Sequence, residues 1–227
     1  MKKVLSIVLA LIVALSCFTC VLAANADSQT LEVKYCQTEA RSIFAGINAF
    51  RTGSDAWYWN QDNKTKTVCS GLSPLVYDYD LEKAAMQRAA EIVVSFSHTR
   101  PNGSEFYTAY TGNIRAENIA EGQTSASEVL TDWIEANEKY EGQGHRRNML
   151  DSRITAVGIA CVEYNGRKYW VQEFRSPAGS TVETPVNDSV TSVTVDTGND
   201  GSGWLSILIN FFKTIVNFFI MLASILK

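Results

Sequence analysis

Histidine is nearly absent. The chain of 227 residues carries two, His98 and His145, so chemistry that needs a neutral imidazole near pH 7 must use one or both. Two local catalytic signatures are missing as well. There is no Gly-x-Ser-x-Gly elbow and no His-Glu-x-x-His zinc motif in the sequence. An excess of positive charge is also lacking. The formal charge is −4, which excludes a broad electrostatic pull toward nucleic acid. Cysteine is sparse, and two of the five, Cys17 and Cys20, fall in the first 26 residues. Residues 176–203 contain no Lys or Arg and nothing large to bury.

What is present begins with an export signature. Lys2 and Lys3 precede an apolar run over residues 4–15, and "VLAANA" offers cleavage after Ala23 or Ala26. That pattern reads as a secretory signal over residues 1–26 and not as a structural helix. Neither Cys17 nor Cys20 follows a good lipidation motif. Cleavage after Ala26 removes two lysines and no acid, leaving a formal charge of −6. Export makes a disulfide chemically possible, and Cys36–Cys69 is the plausible pair. Cys161 lies in the apolar run "VGIACVEY", where a thiol acts as a small hydrophobe.

The periodicities point to helices first and strands later. Ala40, Ile43, Phe44, Ile47 and Phe50 share one helical face. Leu81, Ala85, Ala89, Ile92 and Phe96 make a second, with Asp80 as its expected N-cap. Ser125 and Glu128 form a capping box ahead of a third helix bearing Val129, Leu130, Trp133 and Ile134. "GHRRNMLD" reads as a short helix. "TAVGIACVEYNGRKYWVQEF" reads as a hairpin turning at Asn165-Gly166, and a strand is expected near "EFYTAY". The class is α+β, with helices packed on a mostly antiparallel sheet.

Residues 178–203 read as a flexible acidic linker. Beyond it, residues 204–227 are apolar except for Ser206, Asn210, Lys213, Asn217, Ser224 and Lys227, which form one polar stripe on a helix. Such a C-terminal helix is expected to associate with a membrane, lying in its surface or spanning it, or to bundle with copies of itself.

Each histidine sits in a stretch shaped for it. "TRPNG" follows His98 and supplies a turn. "GQG" precedes His145 and the helical "RRNML" follows. "AENIAEG", with Glu117, lies between. All three residues are expected at edges of elements, where side chains converge on a cleft.

Five segments in order, "LEKAAMQRAAEI", "SFSHTRPNG", "AENIAEG", "GHRRNML" and "AVGIACVEYNGRKYWVQEF", resemble the CAP superfamily. It contains cysteine-rich secretory proteins, antigen 5 and pathogenesis-related proteins, and the bacterial branch is the nearer match. The resemblance covers residues 36–177. It implies an α-β-α sandwich and a cleft of two histidines and two acids that holds a divalent metal in some members. Carried onto this chain, the metal candidates are His98, His145 and Glu117, with Zn the natural ion. The family's second acid falls three residues after Trp133, where this chain has Ala136. Glu135 and Glu138 are nearby, but an ideal helix turns them about 200° and 140° from Trp133.

The leading expectation is a secreted or surface-tethered domain that binds an extracellular ligand (lipid, peptide or protein) or a divalent metal, with no nucleic-acid partner. One alternative is a metal-assisted hydrolase with Glu117 as catalytic general base. Another is a structural surface module with a vestigial cleft, in which His98 and Glu117 form a hydrogen-bonded brace.

Overall fold

The computed structural model describes residues 28–198. Thr30–Val195 forms one compact unit. Of the other unit, Met1–Gln29 with Asp196–Lys227, only residues at the boundary are described. The expected signal segment and C-terminal helix therefore lie outside the described residues.

The elements run β1 (Ser28–Tyr35), α1 (Gln37–Thr52), β2 (Trp57–Trp59), β3 (Lys66–Val68), β4 (Val76–Tyr77) and α2 (Tyr79–Val94). They continue with β5 (Ile114–Glu121), α3 (Ala126–Ile134), α4 (Gly144–Met149), β6 (Ala156–Tyr164), β7 (Arg167–Arg175) and β8 (Val190–Asp196). Among the described residues the main sheet has six strands, in the order β5-β7-β6-β1-β8 with β4 beside β6. β6 pairs antiparallel with β1 and β7, and β5 pairs antiparallel with β7. β5 is thus an edge strand. β2 and β3 form a separate ribbon.

Alternation along the strands sorts the core into two layers. Val157, Ile159 and Cys161 of β6 pack with Ala40, Ile43 and Ile47 of α1 and with Val129 and Trp133 of α3. Ala160 and Val162 pack on the opposite face with Ala85, Ala89 and Ile92 of α2. The result is the expected α+β, α-β-α arrangement. Gly158 lets the start of α2 approach β6, because a Cβ there would stand 2.2 Å from the Glu82 backbone nitrogen and 2.3 Å from the Leu81 carbonyl carbon.

The local signals act as chemistry dictates. Ser125 accepts from the Glu128 N–H at 3.2 Å and caps α3. Asn165 and Gly166 adopt φ of 51° and 76°, the left-handed pair that a two-residue hairpin needs. The cap of α2 is Asp78, not Asp80: its carboxylate accepts from Asp80 N and Leu81 N at 3.0 and 3.2 Å.

Three further expectations are corrected. "EFYTAY" is no strand; Phe106–Ala109 is a single 3-10 turn, and the strand is β5. Residues 178–203 are not linker throughout, because Val190–Asp196 joins the sheet as β8 beside β1. Asp188 receives the Thr38 N–H at 2.9 Å, and Glu82 and Thr184 both bind Arg41. The domain accordingly extends past 36 and 177 at both ends. Cys36, Cys69 and Cys161 are all free thiols, and Cys36 stands opposite Cys161, so the Cys36–Cys69 bridge is absent.

Candidate functional site

Glu117 and Ile119 of β5 point toward α2, while Asn118 and Ala120 point toward α3 and α4. The contacts show this directly. Arg88 of α2 grips Glu117 through Nε at 2.7 Å and a terminal nitrogen at 3.2 Å. Its other terminal nitrogen donates to Glu91 at 2.9 Å. Arg100 reaches the same Glu91 at 2.6 Å. His98 Nδ1 lies 2.9 Å from Glu117 Oε1.

His98 is held there by the turn that follows it. The Gly103 N–H donates to the Arg100 carbonyl at 2.8 Å, with Gly103 at φ 81°. The ring meets Phe106 edge-on and its side chain remains 56 % exposed.

Burial pushes the Glu117 carboxyl up, but the bonds from His98 and Arg88 outweigh it and hold the carboxyl below its ordinary value. Glu91 is likewise lowered, with burial opposed by Arg100 and Arg88. Glu173 is the third buried acid. It stands opposite Glu117 in the ladder, and neither of its oxygens finds a hydrogen-bond donor. Burial, then the Glu117 charge, push it well above the usual carboxylate range. Two guanidiniums thus match two carboxylates, and Glu173 is left without a guanidinium of its own.

The second pair lies across the sheet. α3 stops at Ile134, and Glu135 takes the left-handed conformation, φ 48° and ψ 39°. Its carboxylate comes 2.5 Å from His145 Nδ1 and accepts the Arg146 N–H at 3.1 Å. The rotation expected from an ideal helix does not apply, because the helix has already ended. Glu135, not Ala136, is the acid beside this histidine, and Glu138 instead packs over Gly142.

Buried amides fix the second pair. Gln143 donates to the Glu135 carbonyl at 3.2 Å and accepts from Trp59 N at 2.7 Å. Asn118 donates to the His145 carbonyl at 3.3 Å, and Asn148 to Asn118 Oδ1 at 2.8 Å. Arg146 is fully buried. It donates to the Ile134 and Asp55 carbonyls at 2.7 and 2.5 Å and lies against the Phe50 and Trp57 rings.

A cleft of about 600 Å³ runs along β5 between the two layers. Ile119, Ala120 and Glu121 border it, with Phe96 and Trp133 as apolar walls. Asp132, Glu135, Glu138 and His145 also line it, and no Lys or Arg does. His98 and Glu117 are not among the lining residues.

The candidates therefore assemble as two His–carboxylate pairs. Among the described residues, no three His, Cys, Asp or Glu side chains are grouped to hold a metal ion. Both oxygens of Glu117 are taken by Arg88 and His98, so Glu117 cannot serve as the third ligand of a zinc centre. The triad of His98, His145 and Glu117 around one ion is corrected on that ground.

The sequence reading missed Arg88, Glu91, Arg100, Glu173, Asn118, Gln143 and Asn148. The signal was present for two of them. Arg88 lies seven residues after Leu81, on the apolar face of its own helix. Glu173 shares one face of its strand with Tyr169 and Val171.

The chain matches the family model for the cysteine-rich secretory protein family, CAP, over residues 44–174. An uncharacterised protein, YkwD, of Bacillus subtilis is 32 % identical over 111 residues, covering 46 % of this chain and 40 % of that protein. An extracellular protein from Bacillus anthracis containing an SCP domain is 22 % identical, with a TM-score of 0.42, over 60 % of this chain and 40 % of that one. NaASP2, solved with Zn²⁺, is 21 % identical with a TM-score of 0.47, over 66 % of this chain and 84 % of its own. The chain thus spans about 40 % of the length of the two Bacillus proteins.

Proposed function

The chain belongs to the cysteine-rich secretory protein (CAP) family, and from that premise we propose that its domain is an extracellular binding module which takes an extended, basic peptide segment along the free edge of β5. One observation carries this reading. In a strand, the N–H and C=O of one residue point to the same side and alternate along the chain. The Gly122 N–H faces β7, bonding Lys168 O, while the Glu117 carbonyl faces outward to Asn148. Ile119 and Glu121 share the outward parity, border the cleft, and make no backbone hydrogen bond outward among the described residues. An unpaired edge accepts an added strand. The carboxylates of Asp132 and Glu138 favour cationic side chains on it, while Glu121 is paired with Arg167 and Glu135 with His145.

Selection from a library of linear peptides tests this. Recovered sequences are expected to be extended and rich in Lys or Arg. Glu121→Pro removes one outward N–H, a change an edge strand tolerates, and is expected to lower affinity at least tenfold. Glu121→Gln keeps the backbone donor and is expected to retain most of the affinity. Equal binding by wild type and Glu121→Pro would reject the edge.

A second reading rests on the imidazoles. A carboxylate on Nδ1 is how proteins orient Nε2 toward a metal, and neither Nε2 is hydrogen-bonded among the described residues. Zn²⁺ calorimetry on His98→Ala and His145→Ala tests it, since a shared ion requires that each variant weaken the same event. Hydrolysis with Glu117 as general base has no geometric support. The Glu117 side chain is 0 % exposed and both of its oxygens are engaged.

A further inference from the structure

Cys36 and Cys161 are neighbours across the sheet. The β1–β6 register pairs Lys34 with Glu163 and Tyr35 with Val162. One step further sets Cys36 opposite Cys161, and the Cys36 N–H donates to the Cys161 carbonyl at 2.9 Å. Opposed residues of an antiparallel pair have Cα atoms about 4.5–5.5 Å apart, inside the roughly 4.4–6.8 Å that a disulfide spans. Both side chains leave the sheet on the same face, into the core cluster beneath α1. We infer that Cys36 and Cys161 are a disulfide-forming pair that closes when the protein meets an oxidant of the disulfide class, R–S–S–R.

The two sulfurs differ in access, which sets the order of events. Cys36 borders a surface depression of about 510 Å³ shared with Lys34, Thr38 and Asp188. Cys161 is fully buried behind it. Contact with the Cys161 thiol holds the Cys36 pKa below its ordinary value against the effect of burial, with Lys168 and Lys34 assisting. Burial pushes the Cys161 thiol up. The reactive thiolate is therefore on Cys36, 8 % exposed at the rim of the depression, and not on the fully buried Cys161.

Cys36 Sγ attacks R–S–S–R, forming a mixed disulfide and releasing one thiolate. That thiolate takes the Cys161 proton. Cys161 Sγ then attacks Cys36 Sγ and expels the second thiolate, which solvent protonates. Two cysteine thiols are oxidised by two electrons in all, and one external disulfide is reduced to two thiols.

The test uses the full chain with oxidised glutathione, followed by alkylation and tryptic mapping without reductant. Cys36, Cys69 and Cys161 fall on separate peptides, residues 35–41, 67–83 and 154–167, while Cys17 and Cys20 share a fourth, residues 4–34. The expected product links the first to the third, in wild type and in Cys69→Ala alike. Alkylation of both Cys36 and Cys161, or a link between the first and second peptides, would overturn the pairing. Cys161→Ala is expected to stop at a stable glutathione adduct on Cys36. An unmodified Cys36 in that variant would overturn the order of attack.

Discussion

Glu173→Gln is expected to change how stability depends on pH. Glu173 is fully buried in the middle of the sheet, between Glu117 of β5 and Gly158 of β6. Its nearest guanidinium, Arg88, is committed to Glu117 and Glu91. Burial and the Glu117 charge therefore raise its folded pKa well above 4.5. A carboxyl with a raised folded pKa holds its proton in the native state after the unfolded chain has released it. Its contribution is fully present below the unfolded pKa and is lost as pH rises toward the folded value. The loss is about 1.4 kcal/mol for each pH unit in that window. Glutamine has the same shape and never ionises. Urea unfolding of both proteins at intervals above pH 4.5 should show the variant gaining on wild type by about 1.4 kcal/mol per pH unit until the folded pKa is reached. Parallel stability curves would refute the charge assignment of the whole cluster.

Other outcomes follow from the same packing. Arg88→Met leaves Glu117 and Glu91 buried with too little compensation, and should cost about 3–5 kcal/mol in urea unfolding. Gly158→Ala places a methyl against the α2 backbone, and should cost about 1–3 kcal/mol, read as a lowered denaturation midpoint. Glu121→Pro should change stability by less than about 1 kcal/mol, since its N–H faces away from β7, while lowering peptide affinity.

Much of the scaffold was legible because it rests on local chemistry. The apolar faces of α1 and α2, the Ser125 cap and the Asn165-Gly166 hairpin depend on neighbours in sequence. β1 and β8 were overlooked although "TLEVKY" and "VTSVTVD" alternate, because their pairing partners lie far away in the chain and show only once a sheet exists. β5 was overlooked for the opposite reason: "ENIAE" does not alternate, because each of its faces carries both polar and apolar residues. At the site, motif position found His98, Glu117 and His145 and could not find their partners. Glu135 escaped because its orientation follows from a left-handed residue that ends a helix. Arg88 and Glu173 escaped because a buried charge network is defined by three elements meeting, which no single stretch of chain encodes.

Amide hydrogen exchange tests the edge-strand account most directly. Wild-type protein saturated with a library-selected basic peptide is predicted to show slowed exchange at the Ile119 and Glu121 amides, with the Gly122 amide, already bonded to β7, unchanged. Protection confined to other elements, with Ile119 and Glu121 exchanging as in the free protein, would contradict it.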